Sequence, residues 1–436
     1  MSKLRQLWNN LRSSLWFTPG LMVTSAVLIA VFLIEIDIRL ERDLSESLPR
    51  LFGAGADGAR GMLSSIAGSM ITVAGVTFSI TIVALSLASS QFTPRILRNF
   101  MGDPTTQVVL GFFVAIFAYC LVVLRTIRGG DEGSFVPSLA VAFGFVLALV
   151  GIGVLILFVH HIASSIQASS VISSSAEETL AAVRNLFPSN LGEEAEDLDE
   201  DEVNRLRNEL EWQSLPALTT GYIQSVDTTA MLSFAEEHEA VIIMEHCVGD
   251  FVVKDAPLVS VAINSQPDKS FVKEVNAVYA ISRLRSVEQD TGFGIMQVVD
   301  IALKALSPGI NDTTTALTCI DYLSAILTEL ADRRMETRLR TDGNKLRVIA
   351  KGPVFAQLVA ASFDQIRLNA AGNVAVLSRL MRAIATVAAR TTSRQRKQIL
   401  LEHLDMITAT ARQSVSTPYD LGKALDFSDR ARALLK

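Results

Sequence analysis

The sequence predicts a mainly α-helical fold, in which a four-helix transmembrane domain is followed by a cytoplasmic α+β region. Three observations predict this fold. The 436 residues are 50% hydrophobic and only 19% charged, whereas soluble domains carry about 25% charged residues. The deficit falls in the first 170 residues, where long apolar runs recur. Beyond residue 168 the composition becomes polar, and short Val- and Ile-rich segments precede helical periodicity.

Composition also excludes several classes of protein. With 39 basic and 45 acidic residues the net charge is −6, so we expect no nucleic acid as a partner. Cys120, Cys247 and Cys319 are far apart and have neither disulfide nor zinc spacing. No nucleophile-elbow, phosphate-loop or HExxH motif is present. We therefore expect a protein that is not an enzyme, with no catalytic residues, no cofactor and no metal.

Four apolar runs predict four spans within a transmembrane domain at residues 1–167. Their approximate limits are 21–39, 61–90, 107–125 and 135–160. The second run is the longest, because residues 61–94 form a stretch of 34 residues without a charged side chain. As a helix it would be about 50 Å long, which exceeds the hydrocarbon core of about 30 Å. This helix must tilt or project beyond the bilayer.

An even number of spans places both ends of the chain on one side of the membrane. Lys and Arg near the span ends do not decide which side, because each side carries six. The loops opposite the N-terminus are rich in acidic residues, and this weaker signal favours both termini in the cytoplasm.

Three further regions follow the spans. Residues 168–217 form a helical and acidic connector that contains EEAEDLDEDE at 193–202, a solvated stretch or a cation-attracting rim. Residues 218–265 predict a small β module, and its phrase GDFVVKDAPLVSV resembles the turn and strand of barrel-sandwich domains. Residues 266–436 predict a helical domain, with one possible short strand at 345–350.

The second span has an unusual composition for a helix in lipid. Small and hydroxyl-bearing residues recur at steps of four and three, which keeps them on one helix face: Ser65, Ser69, Thr72, Val76, Ser79, Val83, Ser86 and Ser90. Gly61, Gly68 and Gly75 add a second row. Such a stripe suits close helix packing. It equally suits the wall of a water-filled path, where weak polar contacts favour permeation.

Polar residues follow the stripe at the end of the same span. Gln91, Arg95 and Arg98 stand where a pore would open. Arginines at a pore exit would favour anions, and arginines at a membrane interface would anchor the helix by reaching the headgroups. Both interpretations remain open from the sequence.

The helical domain contains one distinctive phrase, ALSPGINDTTTA at 305–316. Ser-Pro-Gly breaks a helix, and Asn311 or Asp312 can cap the next one, so the phrase predicts a helix–turn–helix corner. Many side-chain oxygens that can accept hydrogen bonds lie near this phrase in the sequence, and a helix N-terminus also attracts anions. A ligand or cation site at this corner is therefore a hypothesis alongside a purely structural cap. Its candidate residues are Asp290, Asp300, Asn311, Asp312 and Thr314.

Several long phrases resemble one bacterial inner-membrane family, the domain-of-unknown-function family 2254. They are SSIAGSMITVAGVTFSITIVALSLASSQFTPRILRNFM, VLGFFVAIFAYCLVVL, HHIASSIQ and QDTGFGIMQVVDIALKALSPGINDTTTA. Thr313 stands where relatives often have proline after the Asn-Asp pair. The resemblance implies a multi-pass protein of the bacterial plasma membrane, and it implies no activity, cofactor or site.

The sequence thus favours a homo-oligomeric channel for ions or small solutes in the lipid bilayer. The second span would line the path, and the cytoplasmic domain, which has a possible small ligand or ion, would regulate it. The alternative is a membrane-anchored ligand sensor or assembly scaffold without transport, in which the stripe is a packing seam.

Overall fold

The computed structural model describes residues 16–40, 55–93, 103–129, 135–187, 205, 208–263, 266–287, 289–333, 339–342 and 345–435. The chain divides into two compact units, Met1–Ser170 and Val171–Lys436. The first unit holds long apolar helices, and the second combines strands with shorter amphipathic helices. The predicted mainly helical fold is confirmed.

Four helices of the first unit are long and apolar enough to cross a membrane, which confirms the four predicted spans. They are α1 (Phe17–Leu40), α2 (Ala56–Gln91), α3 (Pro104–Thr126) and α4 (Ser138–Ser165). With 36 residues, α2 is about 54 Å long and exceeds the thickness of the hydrocarbon core.

Helix α3 forms the centre of the first unit, where it packs against α1, α2 and α4. Phe113, Ile116 and Tyr119 on α3 are almost completely buried. The Tyr119 hydroxyl donates to the carbonyl of Ala140, 2.7 Å away. Asp37 on α1 accepts hydrogen bonds from two amides in the first turn of α4, and so satisfies donors that a helix N-terminus leaves free.

The second unit begins with α5 (Ala168–Leu186), whose first residues still belong to the first unit. Its strands are β1 (Gln213–Pro216), β2 (Gly221–Val226), β3 (Val241–Met244), β4 (Phe251–Val252), β5 (Pro257–Ala262), β6 (Tyr279–Ser282), β7 (Leu339–Asp342) and β8 (Lys345–Ile349). One sheet has the order β1-β5-β3-β8-β7, in which β3 and β8 are parallel and the other pairs antiparallel. A second, antiparallel sheet has the order β4-β2-β6.

In the part of the chain that the structure describes, these strands form two open sheets and no closed barrel. The phrase that resembled a barrel-sandwich domain is divided between the sheets, because β4 pairs with β2 whereas β5 pairs with β1 and β3. The turn between β4 and β5 contains Asp255 at a φ of +67°, and this left-handed residue redirects the chain. Strands from residues 279–282 and 339–349 also join the sheets, so the strands extend beyond residue 265.

The remaining helices form the bulk of the second unit. They are α6 (Thr228–Glu237), α7 (Lys269–Val278), α8 (Thr291–Leu306), α9 (Thr313–Ala331), α10 (Phe355–Asn369), α11 (Val374–Ala388), α12 (Arg394–Ser414) and α13 (Pro418–Leu435). Helix α11 is central, since it packs against α9, α10, α12 and α13. Its apolar stripe, including Leu377, Leu380 and Ile384, is fully buried.

Candidate functional site

The two faces of α2 differ in what they contact within one chain. One face is buried in the first unit, and its residues are mostly small and apolar: Ala59, Leu63, Ala67, Met70, Ala74, Thr77, Ala84 and Ala88. The predicted stripe lies on the other side of the helix, and all six of its hydroxyl residues are exposed: Ser65, Ser69, Thr72, Ser79, Ser86 and Ser90. At about 100° per residue the two sets are roughly opposite each other. We call the exposed set the hydroxyl face.

The glycine row of α2 runs along the hydroxyl face. A Cβ atom built on Gly61, Gly68 or Gly75 would meet no other atom within 4 Å. Within the part of the chain that the structure describes, packing therefore does not require glycine at these three positions. Glycine in a helix interior costs about 1 kcal/mol relative to alanine, and no packing contact with a described residue offsets this cost.

Hydroxyl groups on this face are bonded to the helix backbone. The Thr72 hydroxyl donates to the carbonyl of Gly68 at 2.8 Å, and the Ser79 hydroxyl donates to the carbonyl of Gly75 at 2.9 Å. The Ser90 hydroxyl donates to the carbonyl of Leu87 at 3.0 Å. These bonds satisfy the hydroxyl donors without a partner helix, and they leave oxygen lone pairs directed outward.

The end of α2 is only partly described. Gln91 is the last residue of the helix and is exposed. Arg95 and Arg98, predicted to stand at a pore exit or at the membrane interface, lie outside the described residues, as does the acidic stretch at 193–202.

The corner between α8 and α9 has the predicted helix–turn–helix form. Asn311 adopts a φ of +50°, and Asp312 caps α9 by accepting hydrogen bonds from the amide and hydroxyl of Thr315, at 3.0 and 2.6 Å. The bonds from Thr315 hold the pKa of Asp312 below its ordinary value. Thr314, on the first turn of α9, is exposed.

The other candidate ligands of this corner lie elsewhere. Asp290 caps the opposite end of α8, about 24 Å from the corner. It is buried and accepts a hydrogen bond from Arg285 Nε at 2.7 Å. Burial raises the pKa of Asp290, although the charge of Arg285 opposes this rise. Asp300 is half-buried along α8, between the two ends.

The structure therefore does not gather the five residues proposed for the corner into one site. Within the described ranges, no group of three or more His, Cys, Asp or Glu side chains could hold a metal ion. Burial raises the pKa of the Cys247 thiol to about 11, so the thiolate, which is the form that binds metals and attacks electrophiles, is scarce at neutral pH.

One polar groove was missed by the sequence analysis. It lies between α9 and α11, where Arg379 donates to both carboxylate oxygens of Asp321, at 2.6 and 2.7 Å. The paired residues are 58 positions apart, and no local spacing links them. Charged residues at helical intervals are typical of any solvated helix face, so the pattern gave no signal of a shared groove.

Four apolar helices, one of them with an exposed hydroxyl face, define a multi-pass membrane protein. The chain belongs to the family described as "Predicted membrane protein (DUF2254)", which matches residues 12–386. This finding confirms the resemblance seen in the sequence.

Relatives of the chain occur in mycobacteria. Uncharacterised proteins of Mycobacterium tuberculosis and Mycobacterium bovis are each 29% identical to it over 443 aligned positions. The alignments cover 100% of this chain and 83% of each relative. No solved structure matches the chain significantly.

Proposed function

We propose that the protein is a homo-oligomeric channel of the bacterial plasma membrane. The hydroxyl face of α2 from several copies would surround a central path for ions or small solutes, and the second unit, in the cytoplasm with both chain termini, would regulate it. The observation that carries this proposal is the position of the stripe: every hydroxyl residue predicted to line a path is exposed on the side of α2 away from its own fold.

The glycines of α2 support a neighbour at this face. Lipid chains provide no hydrophobic drive between helices, so helices in a bilayer associate through small residues that allow close approach. The open row at Gly61, Gly68 and Gly75 provides such a surface. A lipid-facing helix would gain more from large apolar side chains there.

The hydroxyl oxygens support a water-filled path. Because Thr72 and Ser79 donate to their own helix, their oxygens are left to accept weak hydrogen bonds from water or to contact cations. Several weak sites in series allow a solute to enter and also to leave.

The alternative function is a membrane-anchored ligand sensor or assembly scaffold without transport. The same internal hydrogen bonds favour it, since a hydroxyl already satisfied by its backbone can be buried in a dry helix seam at little cost. The channel and the scaffold both require self-association through α2, and only the channel requires water beside it.

Substitutions at Thr72 and Ser79 separate these functions. In a channel, Thr72→Leu and Ser79→Leu should reduce single-channel conductance at least several-fold in planar bilayers while the oligomer persists in cross-linking. In a scaffold, the same leucines should disrupt the oligomer. Thr24→Leu is the matched control, because Thr24 on α1 is also exposed and also donates to a glycine carbonyl four residues earlier.

The control variant should behave like the native protein in both assays. Native protein that stays electrically silent across salts, voltages and membrane tension contradicts the channel. A native protein that remains monomeric in lipid contradicts both the channel and the scaffold.

A further inference from the structure

The polar groove of the second unit has a volume of about 440 Å³ and lies between α9 and α11. We call it the α9/α11 groove. Its walls carry opposite charges: acidic Asp321, Glu329 and Asp332 on the α9 side, and basic Arg379, Arg382 and Arg390 on the α11 side. Ser324, Ala325 and Ala383 also line the groove, and their small side chains fill little of the space between the charged residues.

Some of these charges are already paired within the protein. Arg379 and Asp321 bridge one end of the groove. Glu329 lies 2.7 Å from Arg333 Nη2 and 3.6 Å from Arg184 Nε. The hydrogen bond from Arg333 lowers the pKa of Glu329, which therefore stays ionised and engaged.

Other charges of the groove are available for a ligand. Arg382 stacks on the ring of Phe427, with its guanidinium carbon 4.7 Å from the ring centroid, and its side chain is exposed. Arg390 and Asp332 are also exposed, and neither has a side-chain ion pair or hydrogen bond with another described residue. Asp332 directly follows α9 and Arg390 lies just beyond α11, so both belong to the end of the groove away from the Arg379–Asp321 bridge.

The hydroxyl groups along the groove act as acceptors. Thr328 donates its proton to the carbonyl of Ser324 at 2.6 Å, and Thr386 donates to the carbonyl of Arg382 at 3.0 Å. Their lone pairs remain free to accept from a ligand donor. An ammonium group, which has three donors and no acceptor, matches oxygens of this kind beside a carboxylate.

We propose that the α9/α11 groove binds a small zwitterion of the amino-acid type. Its acidic group would bind Arg390 and Arg382, since guanidinium forms bidentate pairs with carboxylates. Its ammonium group would bind Asp332 and the threonine oxygens. The groove volume lies within the range of small-molecule sites. This inference goes beyond the proposed channel and does not depend on whether the spans conduct.

Titration calorimetry on the full chain in detergent micelles tests this proposal. The probes are each protein amino acid in turn, with inorganic phosphate as an anion without an ammonium and putrescine as a diamine without an acid. We expect saturable binding of at least one amino acid and none of phosphate or putrescine. Arg390→Gln and Asp332→Asn should each weaken that binding by roughly tenfold or more, because each removes one charge-assisted contact.

Matched controls are Arg412→Gln and Asp429→Asn, which remove exposed charges from α12 and α13 outside the groove. Both should bind the amino acid as the native protein does. The proposal is overturned if no amino acid binds, if phosphate binds equally well, or if binding survives in both groove variants. Loss of binding in the control variants as well would also overturn it, because the site would then lie elsewhere.

Discussion

Helices α2 and α3 are neighbours in the first unit, but their glycines have different surroundings among the described residues. On α3, Gly111 faces the backbone of Pro19 and the side chain of Met22, and Tyr119 is fully buried with its hydroxyl bonded. On α2, Gly68 and Gly75 face open space. Gly111 on α3 is thus explained by close packing, whereas Gly68 and Gly75 on α2 have no such packing neighbour among the described residues.

The ends of the two helices differ in the same way. Asp103 caps α3 with its carboxylate, which accepts hydrogen bonds from the amides of Thr105 and Thr106. Helix α2 begins after Gly55, which has no side chain to form such a cap. The comparison shows that α3 is the structural centre of the first unit and that the outer face of α2 is exposed among the described residues.

The largest effect should come from filling the glycine of α3. In Gly111→Ala the new Cβ would lie 2.8 Å from Met22 Sδ and 2.9 Å from Pro19 Cα. Backbone cannot give way as a flexible side chain can, so we expect a loss of about 1–3 kcal/mol in the free energy of unfolding. Unfolding of the protein by sodium dodecyl sulfate in mixed micelles measures it.

Gly75→Ala is the paired variant on α2. Its Cβ would enter open space, so the unfolding free energy of the monomer should not fall and should rise by up to about 1 kcal/mol through the better helix propensity of alanine. A loss equal to that of Gly111→Ala would show that α2 is as tightly enclosed as α3, and the comparison would fail.

An intermediate effect is expected at Tyr119. Tyr119→Phe keeps the buried ring and removes only the hydroxyl that donates to the carbonyl of Ala140. The loss of one buried hydrogen bond should cost about 1 kcal/mol of unfolding free energy in the same micelle assay. Tyr419→Phe, at a side chain that is 79% exposed, should cost nothing measurable. Equal effects in the two variants would refute a structural role for the Tyr119 bond.

The smallest effect should be a change in acid stability from Asp103. Burial by itself would raise the pKa of Asp103, but the hydrogen bonds from Thr106 and His161 outweigh it and hold the pKa below its ordinary value. A lowered pKa in the folded state stabilises the protein above the pKa of the unfolded state, about 3.9. This stability is lost as the pH falls through the lowered value.

Asp103→Asn tests that dependence. Asparagine can still cap α3, so the unfolding free energy at neutral pH should fall by less than about 1 kcal/mol. Between pH 5 and pH 3 the variant should lose less stability than the native protein. An unchanged acid profile would mean that Asp103 contributes nothing through its charge.

Much of the fold was predictable because its causes are local or compositional. Long uncharged runs predicted the spans, since a bilayer admits backbone only when a helix satisfies it. The Ser-Pro-Gly break and Asp312 predicted the corner before α9, because capping depends on residues within one turn. The barrel-like interpretation of residues 249–261 was wrong, because strand pairing depends on contacts between distant parts of the chain. The two strands of this segment are neighbours in sequence but pair in different sheets.

Candidate sites were predictable only in part. The hydroxyl residues of α2 share a face because helical periodicity alone places them there. Periodicity does not decide which face of α2 is exposed. The helices that pack against α2 decide it, because they bury the opposite face, which is rich in alanine. Asp290 caps α8 and Asp312 caps α9, so the length of α8 separates the two carboxylates and they could not act together.

The sequence by itself determined the membrane class, the number of spans, the helix caps and the alignment of hydroxyls along α2, because each follows from hydropathy or from contacts within a turn. Only the tertiary structure decided which face of α2 remains open and that Asp321 meets Arg379 across a groove. These features arise from packing between segments far apart in the chain, where no periodicity specifies the partner.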